Sequence, residues 1–162
     1  RFLLDLHGED AAGHAASDAH CAALQVLNHL QDIGDDYRSL DRVYLPADWR
    51  AAEGVSDVDL AAPRSTPNLR RVLDRCLAEV DVLLAKARPL PLRLRSPRLA
   101  LEAAVILALA EALAQRLAVL DPLAMRVRIS KPAMLGHALR AIPRCLWQRA
   151  RRPDLRDRRQ PA

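Results

Sequence analysis

Aromatic side chains are scarce in this sequence: one Phe, two Tyr and two Trp among 162 residues. Half of the residues are hydrophobic, mostly Leu and Ala, which favours helix. Glycine is also rare, at five residues, and no glycine-rich loop, internal repeat or strand pattern is present. The Val127-Arg128-Ile129 alternation is too short to count as one. Cysteine is limited to Cys21, Cys76 and Cys145. They are far apart with no C-x-x-C pair, which argues against a disulfide framework or a zinc site and fits reduced thiols in a cytosolic protein. Long hydrophobic runs are missing too. The most apolar stretch, Leu99 to Leu120, is broken by Glu102, Glu111, Gln115 and Arg116. Only Ala103 to Ala110 is nonpolar throughout, too short to span a bilayer, so a central buried helix is expected there. No signal peptide opens the chain, and neither does a methionine; Arg1 comes first, so an N-terminal segment of the same chain is expected to be missing.

The length suits one helical domain with a substantial core. The net charge of +5 is unevenly spread. Residues 140–162 hold eight Arg against Asp154 and Asp157, a net of +6, and the other 139 residues have 17 basic and 18 acidic groups, a net of −1. A near-neutral body argues against nucleic acid as a partner. An Arg-rich end after Pro153 is most often solvated and poorly ordered, and 151–162 is read as such a tail. Peripheral contact with anionic lipid at the inner face of the membrane is the sharper alternative.

Start and stop signals divide the chain. Arg1 to Leu6 reads as a helix end closed by Gly8, and Gly8 to Ala16 as a polar connection. Ser17 or Asp18 is expected to cap a helix running to about Tyr37 or Arg38. Pro46-Ala-Asp48 suggests a new cap before a short helix, Trp49 to Glu53, ended by Gly54. Residues 55–67 read as loop. Thr66-Pro67 opens a long helix to about Ala87, stopped by Pro89, Pro91 and Pro97. Ser96-Pro97 opens the most hydrophobic helix, which ends near Leu120, and Ser130-Lys131-Pro132 opens the last, which fades beyond Ala150.

The helix following Cys21 carries an unusual stripe. At about 100° per residue, Gln25, Asn28, Asp32 and Asp36 fall within about 80° of one another, while Leu24, Val26, Leu27, Leu30 and Ile33 are available for packing. His29 borders the stripe. Asp32 and Asp36, four apart, place two carboxylates one above the other, and like charges so placed repel. A positive partner between them is expected. All-oxygen ligation selects a hard cation, and Mg²⁺ commonly binds one or two carboxylates plus substrate phosphates. Asp35 points about 100° away from Asp36. Arg38, Arg42 and Tyr44 follow in a segment able to fold over the mouth, and Arg suits phosphate through paired hydrogen bonds. By itself an acidic pair at this spacing is more often a solvated surface feature, Asn28 an inter-helix hydrogen bond and His29 an ordinary packed or surface histidine. The combination on one stripe, with the Arg/Tyr/Pro segment behind it, changes the balance.

The run Gln25-x-x-Asn28-x-x-x-Asp32-x-x-x-Asp36, followed by Arg42-Val43-Tyr44-Leu45-Pro46, closely resembles the second aspartate-rich motif and trailing R-x-Y-L-P segment of the squalene/phytoene synthase family. The segments ALQVLNHLQD, DDYRSLDRVYLPADW and DPLAMRVRISKPA look most like its bacterial hydroxysqualene branch, which serves hopanoid synthesis. The resemblance reaches to about Ile142 and is specific at residues 21–46. It implies an all-α isoprenoid-synthase bundle, of which residues 1–150 would be the C-terminal portion. Mg²⁺ would be held by Asp32 and Asp36, with Asn28 and Tyr44 completing the catalytic set. Gln25, Asn28, Arg38, Arg42 and Tyr44 would contact a prenyl diphosphate, presqualene diphosphate or farnesyl diphosphate. The family's first aspartate-rich motif does not occur in the chain, so this piece would hold half of the metal site and be inactive alone. Squalene or phytoene synthesis, or a non-catalytic assembly factor derived from the same family, are the alternatives.

Overall fold

Three hydroxyl-plus-proline signals open the three longest helices that lie beyond the aspartate stripe. The Leu69 N–H donates to Thr66 Oγ1 at 3.2 Å, the Leu99 N–H to Ser96 Oγ at 3.4 Å and the Ala133 N–H to Ser130 Oγ at 3.4 Å. Each bond satisfies an amide that the first helical turn leaves unpaired. Pro67, Pro97 and Pro132 sit in the first turns, where a missing N–H costs nothing.

In the computed structural model, residues 1–152 are described, and among them all regular structure is helical. The α-helices are α1 (Phe2–Leu6), α2 (His14–Gln31), α3 (Ile33–Leu40), α4 (Ala47–Ala52), α5 (Val58–Ala61), α6 (Pro67–Ala87), α7 (Leu90–Arg93), α8 (Pro97–Val119) and α9 (Lys131–Ala150), with a 3-10 turn at Ala11–Gly13. The all-α expectation holds. No described helix is long and apolar enough to cross a membrane. All three cysteines are free, Cys21 exposed and Cys76 and Cys145 buried. Burial pushes the Cys76 thiol up to about 11. The expected basic tail at 151–162 lies outside the described residues from Pro153 onward.

Several boundaries differ from the sequence expectation. Ser17 and Asp18 do not cap α2, which begins earlier, at His14. The 3-10 turn leads directly into it, Gly13 and Ala16 are buried, and the Asp18 carboxylate is engaged by Arg1 at 2.6 Å. Packing of the small residues thus outweighs the cap signal. Asp48 likewise lies inside α4, whose N-cap is Pro46, while α4 closes as expected with Gly54 at φ +65°. There the Gly54 N–H bonds to Ala51 O and the Val55 N–H to Arg50 O, the paired closure that a left-handed residue permits. Short turns α5 and α7 occupy stretches that read as loop. Leu60 of α5 and Leu90 and Pro91 of α7 are buried, so each turn is held by its apolar contacts. The hydrophobic helix α8 is not covered all round: Ala100, Ala103, Leu107, Ala110 and Leu117 are buried, whereas Val105, Ile106, Leu109 and Leu113 are half-buried.

The described chain forms two compact units. The first comprises Arg1–Ala22, Leu83–Glu111 and the chain from Ile129. Its core gathers Leu4, Ala16, Leu90, Leu94, Leu99, Ala100, Ala103 and Cys145. Arg149 is buried here, and its Nη1 donates to Pro91 O and Leu94 O, both at 2.7 Å, while Nη2 donates to Arg95 O at 3.0 Å. Those bonds satisfy carbonyls at the end of α7 and compensate a charge that burial would otherwise penalise. The Glu9 carboxylate accepts from the Arg95 and Ser96 N–H groups ahead of α8, where a negative charge suits the helix dipole.

The second unit comprises Ala23–Val82 and Ala112–Arg128. Leu27, Ile33, Leu60, Leu69, Val72 and Val127 are almost fully buried in it. Arg70 Nη1 donates to Leu117 O at 3.0 Å and closes the C-terminus of α8. Asp121 follows, accepting from the Ser65 N–H at 2.8 Å, Ser65 Oγ at 2.6 Å and the Leu123 N–H at 3.0 Å. Burial draws the Asp121 carboxyl up, but the Ser65, Leu123 and Ala124 hydrogen bonds outweigh it and hold its pKa below the ordinary value. The stabilisation is therefore present above the unfolded pKa of about 4 and is lost as pH falls through the lower folded value. Asp121→Ala is expected to lower unfolding stability by about 1–3 kcal/mol at neutral pH. The gap from the parent should narrow below about pH 4, as measured by denaturant unfolding across a pH series.

Candidate functional site

The stripe of polar residues spans a bend. A single helix through Asp36 was the expectation, but α2 ends at Gln31 and α3 begins at Ile33. Asp32 between them has φ −102° and ψ 8°, in the bridge region between helix and strand. Just beyond the bend, α3 packs closely against a segment remote in sequence. A Cβ on Gly34 would stand 2.7 Å from Leu123 Cδ2, so a larger residue there would require the Leu123 side chain to shift. Even so, the Asp32 N–H bonds to Asn28 O at 3.0 Å and the Asp36 N–H to Asp32 O at 2.8 Å. The helical hydrogen-bond spacing continues through the bend, and Asp32 and Asp36 remain one turn apart.

After α3 the chain reverses. Asp41 takes a left-handed conformation, φ 52°, and the Arg42 N–H reaches back to Asp36 O at 3.3 Å. This turn brings Tyr44 onto the stripe. Its hydroxyl donates to Asp36 Oδ2 at 2.7 Å, and its ring stacks on His29 with centroids 3.8 Å apart and planes 4° from parallel. His29 Nε2 in turn lies 2.6 Å from Gln25 Nε2. Gln25, His29, Tyr44 and Asp36 therefore form one connected chain of contacts. Tyr44 and then Asp36 act on the exposed Arg42, raising its guanidinium pKa further above the ordinary value.

Asp32 is held differently. Its Oδ1 is buried and accepts no hydrogen bond among the described residues, although Arg126 Nη2 stands 3.3 Å away as an ion-pair partner. The charge is balanced while the oxygen keeps its hydrogen-bonding or coordinating capacity. Asn28 is exposed on the same stripe. Arg38 is turned aside: it belongs to α3 and pairs with Asp35 at 2.8 Å.

The structure thus gathers Gln25, Asp36 and Tyr44 through His29, and leaves Asn28, Arg38 and Arg42 exposed. His29 becomes the central link, where its helical angle alone placed it on the border. Arg126 carried no signal beyond its position in the segment 121–133, because its contact with Asp32 spans most of the second unit's sequence. Among the described residues no group of three or more His, Cys, Asp or Glu side chains is placed to hold a metal ion. The donor set available is two carboxylates, one with a buried oxygen to spare. That set fits a hard cation that completes its shell with water and phosphate oxygens.

The squalene/phytoene synthase family model matches residues 1–133. The hydroxysqualene synthase of Rhodopseudomonas palustris is 45% identical over 129 residues, 80% of this chain and 44% of that protein. The hydroxysqualene synthase of Sinorhizobium fredii is 42% identical over 142 residues, 88% of this chain and 49% of that protein. That of Zymomonas mobilis is 39% identical over 138 residues, covering 85% and 46%. The chain spans about half the length of these relatives, and no solved structure gives a significant match. With the family model matching residues 1–133, most of its length, the chain belongs to the squalene/phytoene synthase family.

Proposed function

We propose that the protein is a Mg²⁺-dependent prenyl diphosphate enzyme of the hydroxysqualene synthase type, converting presqualene diphosphate and water to hydroxysqualene and diphosphate in hopanoid synthesis. The observation that carries this reading is the pair Asp32 and Asp36, one turn apart. Asp36 is oriented by Tyr44, and Asp32 keeps an unbonded buried oxygen. The three hydroxysqualene synthase relatives, similar over four-fifths or more of the chain, support the choice of reaction.

Asp32 and Asp36 would hold the metal, which when bound supplies Lewis-acid stabilisation of the departing diphosphate. The rest of the donor set would come from residues outside Arg1–Ala162, so the chain alone would not turn over. Tyr44 fixes the Asp36 carboxylate by a charge-assisted hydrogen bond, and His29 packs flat against its ring, limiting its rotation. Gln25 fixes the His29 imidazole. Arg42, exposed beside Tyr44, would bind diphosphate oxygens, and Asn28 would donate to the same group or to an ordered water. Arg126 balances Asp32 while no cation is bound. The carbocation formed when the carbon–oxygen bond breaks rearranges and is captured by water, which then loses a proton.

The polypeptide as its gene encodes it, incubated with Mg²⁺ and presqualene diphosphate, is expected to release hydroxysqualene, identified by mass spectrometry. Squalene from farnesyl diphosphate, or no product, would overturn the assignment. Asp32→Asn and Asp36→Asn should each lower turnover by about 100-fold or more with helical circular dichroism unchanged; unaltered turnover would remove the metal role. Tyr44→Phe leaves the ring and its stacking but deletes the bond to Asp36. It should cost about tenfold in kcat and raise the Mg²⁺ concentration needed for half-maximal rate.

A further inference from the structure

The first unit contains a cavity of about 540 Å³, within the size range of small-molecule sites. No residue of the aspartate stripe lines it. Its floor is apolar, formed by Leu92 after the start of α7 and by Ala104, Leu107 and Ala108 of α8. One wall is a face of α9 carrying His137, Arg140, Arg144 and Gln148, since positions three and four apart project from the same side of a helix. At the edge Arg88 and Glu111 pair at 2.8 Å and neutralise each other.

Arg140 and Arg144 have no such answer. Neither forms a hydrogen bond or ion pair among the described residues, and both are exposed at the lining. With His137 neutral, the lining holds three arginines against one glutamate, a net of two positive charges. Two guanidinium groups one turn apart repel, and they remain charged at any working pH. An oxyanion between them would relieve the repulsion and accept paired N–H donors. A bare anion would leave the apolar floor wet, whereas a hydrocarbon attached to it would cover Leu92, Ala104, Leu107 and Ala108.

We propose that this cavity binds a single-chain amphiphile with a phosphate head, the head between Arg140 and Arg144 and the chain on the α7/α8 floor. The site is separate from the diphosphate reading, because it uses none of the stripe residues and needs no metal.

The test is calorimetric titration of the gene-encoded polypeptide with monomeric decyl phosphate in metal-free buffer containing a chelator. Parallel titrations use butyl phosphate, inorganic phosphate and phosphatidylglycerol vesicles. Saturable one-to-one binding of decyl phosphate is expected, at least about tenfold weaker for butyl phosphate and weaker again for inorganic phosphate. R140Q and R144Q, at exposed positions, should each weaken it by about tenfold with circular dichroism unchanged, whereas D32N should leave it unaltered. Equal binding of inorganic phosphate would reduce the cavity to a plain anion site and overturn the amphiphile. Binding to vesicles without binding of monomeric decyl phosphate would transfer the role to a membrane surface and overturn the cavity. Insensitivity to R140Q and R144Q, loss with D32N, or no binding would each contradict the proposal.

Discussion

Leu123 occupies the space that a side chain at position 34 would fill, and this close contact lies between the two aspartates of the stripe. Glycine in the interior of a helix is unfavourable by about 1 kcal/mol relative to alanine, so its presence on α3 needs a reason that packing supplies. The contact is itself fixed from the other side. Asp121 accepts the Leu123 N–H and both donors of Ser65, anchoring the segment after α8 to the start of α6. Ile33, fully buried beside Gly34, completes the inner face of the bend. A loop carboxylate, a leucine and a glycine thus pack together beside the two carboxylates of the stripe.

The electrostatics of those carboxylates are handled unequally. Asp36 receives a neutral donor, Tyr44, which orients it without cancelling its charge. Asp32 receives a full positive charge from Arg126 at ion-pair distance, without a hydrogen bond on the buried oxygen. Like charges one turn apart destabilise a helix modestly when exposed and more when water is excluded, so both devices lower the cost of keeping the pair together. They also leave oxygen lone pairs available. An arrangement built only for stability would more readily have replaced the pair with apolar side chains.

Much of this was legible in the sequence, and the illegible parts share one cause. Thr66-Pro67, Ser96-Pro97 and Ser130-Lys131-Pro132 mark helix starts by local chemistry, and all three mark them correctly. The stripe of Gln25, Asn28, Asp32 and Asp36 follows from spacing alone, since hydrogen bonds at helical spacing persist through the bend. The bend does not follow, because nothing in the local spacing marks a break at Asp32, and the close neighbour of Gly34, Leu123, comes almost ninety residues later. The stacking of Tyr44 on His29 requires the left-handed turn at Asp41, a residue with no glycine signal to announce it. Arg38, two residues past Asp36, falls about 160° round the helix from it, and Asp35 three residues earlier captures it. The early start of α2 reflects burial of Gly13 and Ala16, which outweighs the nearby Ser17 and Asp18. Local rules located the groups; long-range packing decided which of them meet.

The role assigned to Asp32 and Asp36 is tested most directly by electron paramagnetic resonance of Mn²⁺, standing in for Mg²⁺, titrated with and without inorganic diphosphate into the gene-encoded polypeptide. Expected is weak Mn²⁺ binding that diphosphate tightens, with the tightening lost in the Asp32→Asn, Asp36→Asn double variant. Equal, diphosphate-enhanced Mn²⁺ binding in parent and double variant would contradict a metal site at this stripe.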